Sequence, residues 1–300
     1  MDIRLLQTLV GVAENGSFAS AANAVGLSPS AVSMQMKALE DHLGTKIFDR
    51  SHRPSILNAK GLGLVATARK IVSLHDSLRD AAAASSEFTG RLRLGVVPTA
   101  LSSFVPAVLA SLNAALPLIE VQVATGMNTP LFQLLKNSEL DAAIIGEPPR
   151  LPSSLRWQAI VDEPICVIAR SDCREEDALS LLKTYPYIKL VRGAWQLGLI
   201  DDQLRQSSIS LNTVMQLDSI EAVALMVHHG LGVSIVPRRA IEPLLTFPLK
   251  WVPFGNPPLH RTLGLVYAHG SAKTHLVEAL LTQISQVCGT IQARRTTMPV

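Results

Sequence analysis

The chain has 300 residues, 48% hydrophobic and 17% charged, with a formal net charge of +3. That length holds two or three domains, the apolar share excludes whole-chain disorder, and the small charge confines any nucleic-acid contact to a local patch. Cys166, Cys173 and Cys288 lack metal-ligand spacing, the N-terminus has no leader pattern, and no apolar run approaches the ~18 residues of a membrane span, so a cytoplasmic protein without metal, cofactor or membrane partner is expected.

Asp2 caps a first helix that Asn15 and Gly16 end, and Ser17 caps the second. Val25-Gly26-Leu27 forms a turn into a third helix, opened by the cap Ser28 and by Pro29 and closed by Gly44. Val32, Met36, Leu39 and Leu43 recur at helical spacing and predict one buried stripe. The opposite side carries Ser30, Ser33, Met34 and Lys37, a slim face able to hydrogen-bond in a DNA major groove. Lys46, Arg50, His52, Arg53, Lys60, Arg69 and Lys70 follow, and cations placed there neutralise phosphates beside a groove. Residues 45–57 read as a two-stranded wing with Arg50 and Arg53 near its tip, within reach of a minor groove. The DNA-contacting set is therefore Ser28, Pro29, Ser30, Ser33, Met34, Lys37, Arg50 and Arg53.

Asn58 caps a long helix running to about residue 88. Leu64, Ala68, Ile71, His75, Leu78 and Ala82 alternate spacings of four and three, a heptad seam that calls for a second copy of the chain. From Arg91 strands and helices take turns, which indicates α/β architecture. Predicted strands cover residues 92–96, 119–125, 141–146, 165–169, 187–191, 213–217, 232–237 and 261–267. A single apolar helix is expected over residues 101–116 and an amphipathic one over 273–291. Two lobes of similar size imply a cleft at the carboxyl ends of the strands.

These motifs resemble the LysR-type transcriptional regulators over nearly the whole chain. The N-terminal match comprises Phe18 to Ala24, Leu27-Ser28, Ala31-Val32-Ser33, Gln35, Leu39-Glu40, Leu43-Gly44, Phe48 and Arg50. A looser match follows at Leu140-Asp141 and at Val227, Gly230, Gly232 and Pro237. The resemblance implies a winged helix-turn-helix over residues 1–58, a dimerising linker helix and hinge over 59–90, and an effector-binding domain over 91–300. That domain resembles periplasmic solute-binding proteins, with one lobe at about 91–161 plus 266–300 and the other at about 162–265. It also implies a homodimer or homotetramer on double-stranded DNA. Pro29 and Met34 stand where the family often has glutamine and arginine, so base preference should differ from the common pattern.

Register places Pro98, Thr99, Ser102, Met127, Asn128 and Thr129 on one side of the cleft, and Arg192, Trp195 and Ser219 on the other. Hydroxyls and N–H groups at helix starts, with an arginine, favour an anionic effector such as a carboxylate. The alternative is a small-molecule-binding α/β protein or enzyme that binds no DNA. No G-x-S-x-G elbow, phosphate-binding glycine loop or H-E-x-x-H is present, so no catalytic residue is assigned.

Overall fold

The N–H groups of Arg4, Ser20 and Ala31 donate to the side chains of Asp2, Ser17 and Ser28, which fixes where three helices begin. They are α1 (Ile3–Asn15), α2 (Phe18–Val25) and α3 (Pro29–Leu43). Gly16, Gly26 and Gly44 end them with φ of 72°, 68° and 63°, which a β-carbon would disfavour. This computed structural model describes residues 1–52, 54–83, 89–191, 197–207, 209–239, 247–271 and 273–297. The chain divides into two compact units, Met1–Glu87 with Lys136–Leu140, and Phe88–Leu135 with Asp141–Val300.

In the first unit β1 (Phe48–Asp49) pairs antiparallel with β2 (Ile56–Leu57), which forms the wing. Asn58 Oδ1 then accepts the Gly61 N–H at 3.0 Å and opens α4 (Ala59–Ala83). Leu6, Leu9, Val12, Val32, Met36, Leu39, Ile47 and Phe48 share one core, each large aliphatic side chain contributing about 1.5–3 kcal/mol by burial. The ring of Phe18 meets that of Phe48 edge-on at 4.9 Å, tying α2 to the wing. Two sequence expectations change here. Leu43 is 37% exposed, and the inward place near the end of α3 goes to Glu40, which is 2% exposed. The α4 seam is also divided: Ala68 is buried and Leu64 half-buried in the core of the first unit, whereas Ile71 and Leu78 are exposed, as is Leu74 beside the seam.

The second unit opens with β3 (Gly90–Val96), α5 (Pro98–Leu101), α6 (Val105–Ala115), β4 (Ile119–Thr125), α7 (Asn128–Lys136) and β5 (Ala142–Gly146). The single helix expected over 101–116 is two helices. Pro106 has no N–H to donate to Ser102, and it sits well in the first turn of α6 instead. Then come β6 (Leu155–Arg170), α8 (Ala178–Thr184), β7 (Tyr187–Leu190), α9 (Leu197–Gln206), β8 (Thr213–Leu217) and α10 (Ile220–His228). The chain closes with β9 (Ser234–Pro237), β10 (Leu249–Pro253), β11 (His260–Ala268) and α11 (Thr274–Thr297).

Strands β3, β4 and β5 are parallel, and β11 joins β5 antiparallel. The long β6 pairs with β11 up to Pro164, then with β9 from Ile165 and with β10 from Cys166. One strand therefore runs through both lobes, and the crossing lies near Glu163–Ile165. The strand expected at 165–169 is only its second half, and β10 was not anticipated. Gly232, at φ 153°, lets β9 approach β7: a β-carbon there would lie 2.3 Å from the Pro186 carbonyl oxygen.

Candidate functional site

Ser30, Ser33, Met34 and Lys37 all face solvent on α3, with Met34 71% exposed. Val32, Met36 and Leu39 anchor the same helix from behind. Ser28 and Pro29 are exposed at its start, and the Ser28 hydroxyl lies 2.9 Å from that of Ser30 while accepting the Ala31 N–H. Among the described residues Lys37 pairs with no carboxylate. The result is a rigid polar face with one uncommitted cation, which is what a groove-reading helix needs.

Glu40 fixes the wing to this helix. Its Oε1 accepts the Ile47 and Phe48 N–H groups at 2.9 and 3.3 Å. Its Oε2 accepts from Lys46 at 3.3 Å and from Arg50 at 2.9 Å. Burial alone would raise the Glu40 carboxyl, but the two N–H groups and the Lys46 ammonium hold it below the usual range. Arg50 thus both orients the wing and keeps its 58%-exposed side chain at the surface. Arg53 lies outside the described residues.

The second unit contains a cavity of about 90 Å³ between its lobes. A single water needs roughly 10–15 Å³, so this space admits a small molecule. Pro98, Thr99, Met127 and Asn128 line it from the helix starts after β3 and β4. Tyr187 and Lys189, on one face of β7, line it from the other lobe together with Asp201 and Ile220. Ile165, Arg261 and Leu263 line it at the β6–β11 crossing. Ser102, Thr129 and Ser219 are not among the lining residues. Arg192 and Trp195 lie outside the described residues.

The polar groups have definite partners. Asn128 is 5% exposed, and its Oδ1 accepts the Gly146 N–H at 3.0 Å, so part of its amide is structural. Arg261 donates from Nε to Glu163 at 2.7 Å and again from Nη2, and Glu163 is completely buried. Burial, then the negative charge of Asp201, push the Tyr187 phenol up to about 12, so it remains a donor at neutral pH. Ser102 instead joins the lobes: it accepts from Arg239 at 3.0 Å, and Arg239 also pairs with Glu221 at the start of α10. Burial would raise the Glu221 carboxyl, but its own N–H, the Ser219 hydroxyl and Arg239 bring it down to about 2. Ser219 accepts the Ala222 N–H as the α10 cap. Sequence reasoning missed Lys189 and Arg261. The first was readable from the alternation of β7, whereas the second needs the β6–β11 register that pairs Arg261 with Glu163.

Comparison with known proteins connects the two sites. Residues 3–62 match the family described as bacterial regulatory helix-turn-helix protein, lysR family. Residues 85–289 match the LysR substrate binding domain. The HTH-type transcriptional regulator CbbR of Sinorhizobium medicae is 34% identical over 255 residues, 81% of this chain and 79% of that protein. YusT of Bacillus subtilis, an uncharacterized HTH-type transcriptional regulator, is 30% identical over 241 residues, 80% of this chain and 79% of its own length. A full-length cysteine-to-aspartate variant of OxyR from Pseudomonas aeruginosa superposes with a TM-score of 0.74 at 26% identity, covering 96% of this chain and 95% of that one. Among the described residues no helix is long and apolar enough to cross a membrane. The chain belongs to the LysR family: it is a DNA-binding transcriptional regulator with an effector-binding domain.

Proposed function

We propose that residues 1–58 read duplex DNA through Ser28, Pro29, Ser30, Ser33, Met34 and Lys37 in the major groove, with Arg50 and Arg53 on the flanking backbone or minor groove. Residues 59–90 join two copies, so that two such faces meet two half-sites. Residues 91–300 bind a small effector with an anionic group in the cavity lined by Pro98, Thr99, Met127 and Asn128, and shift the DNA complex. The effector contacts read from the sequence also include Ser102, Thr129, Arg192, Trp195 and Ser219, of which Ser102, Thr129 and Ser219 do not line that cavity. The protein works in the cytoplasm, as homodimer or homotetramer, and releases its effector chemically unchanged.

The observation that carries this reading is the exposed Ser30, Ser33, Met34 and Lys37 face on a helix whose other side is buried. Selection of duplexes from a random pool by the full-length protein tests it. The expected result is enrichment of a sequence with two related half-sites. A pool that stays random after repeated rounds contradicts it.

A further inference from the structure

Among the described residues, the charges at the cavity balance. Arg261 is answered by the fully buried Glu163, so that pair presents N–H donors but little net charge. Lys189 and Asp201 also line the cavity, and among the described residues neither makes a hydrogen bond or an ion pair. Among the described lining residues, one cation and one anion without a hydrogen-bond or ion-pair partner therefore face the same small space. The remaining lining is largely apolar, including Ile165, Leu190, Ile200 and Ile235. A simple anion would satisfy Lys189 and Arg261 but would bring its own charge against Asp201. A simple amine would have the reverse defect.

We propose that the effector is a zwitterion of the α-amino-acid class with a short apolar side chain. Its carboxylate meets Arg261 and Lys189, its ammonium meets Asp201, and its side chain lies against the isoleucines. Glu163 is a positioning residue that holds the Arg261 guanidinium flat toward the cavity. The Tyr187 phenol supplies a neutral donor beside Asp201. This rests on the reading of the cavity as the effector site and narrows the ligand chemistry from an anion to an amphoteric molecule.

Thermal shift of the full-length protein tests it, with L-alanine, L-valine, L-leucine and L-methionine as probes. Each is compared with its deaminated carboxylate and its decarboxylated amine. At least one amino acid should raise the melting temperature, with both halves binding about tenfold more weakly or worse. Asp201→Asn should reduce that amino acid to the level of its deaminated carboxylate, and Lys189→Met should weaken it about tenfold. A carboxylate that binds as tightly as its parent amino acid overturns the zwitterion. So does binding unchanged by either substitution, or no shift with any probe. Duplex binding is measured in parallel without probes. Its loss would count against the regulatory reading, whereas any of the three outcomes above with duplex binding intact counts against the zwitterion alone.

Discussion

Glu40 couples α3 to the wing through a fully buried carboxylate. Removing the carboxylate leaves the Ile47 and Phe48 N–H groups and two cations without their acceptor. Glu40→Ala should therefore cost about 3 kcal/mol locally, read as amide exchange at Ile47 and Phe48 roughly a hundredfold faster. Its folded pKa is depressed, so its contribution is complete above the unfolded value of about 4.3 and fades as pH falls through the lower folded one. Wing amides in the native protein should accordingly lose protection below about pH 4, and Glu40→Gln should remove that dependence. Lys37 is the simpler case, being exposed with no carboxylate partner among the described residues. Lys37→Ala should weaken DNA binding and lower the slope of log affinity against log salt by about one. An unaltered slope would place Lys37 away from phosphate.

At the scale of elements, α4 serves two purposes along one helix. Val65 and Ala68 close the core of the first unit, whereas Leu74 and Leu78 are 65% and 71% exposed. An exposed apolar row at helical spacing calls for a partner surface. Leu74→Asp with Leu78→Asp should shift the protein from dimer to monomer in analytical ultracentrifugation while the core of the first unit stays folded. A dimer that persists would put the contact elsewhere. Much of this was legible in the chain. The α3 boundaries follow from Ser28, Pro29 and Gly44, because caps act locally. The division of α4 was not, because Ala68 suits a seam and a core equally well, and only contact with α1 decides. The first half of β6 was missed because Arg156, Gln158, Asp162 and Glu163 make it look polar. Glu163 is buried where Arg261 lies opposite on β11 and donates to it. The edge strand β10 is short and ends at Pro253, which leaves little alternation to read.

For the whole molecule, the exposed polar side of α3 was legible and the cavity only in part. Thr99 and Asn128 follow from strand ends and helix starts, since that geometry is written in chain order. Lys189, Asp201 and Arg261 reach the same space from β7, α9 and β11, brought together by a tertiary arrangement that local pattern does not encode. In the proposed function the polar side of α3 lies against a duplex. The most direct measurement is fluorescence anisotropy of the selected duplex with wild-type protein and with Ser33→Glu, at equal oligomeric state and melting temperature. Ser33 is exposed, so the added carboxylate leaves the core alone and meets the DNA instead. Affinity should be lower by at least about tenfold, from a lost groove contact and repulsion by phosphate. An affinity equal to wild type would contradict it.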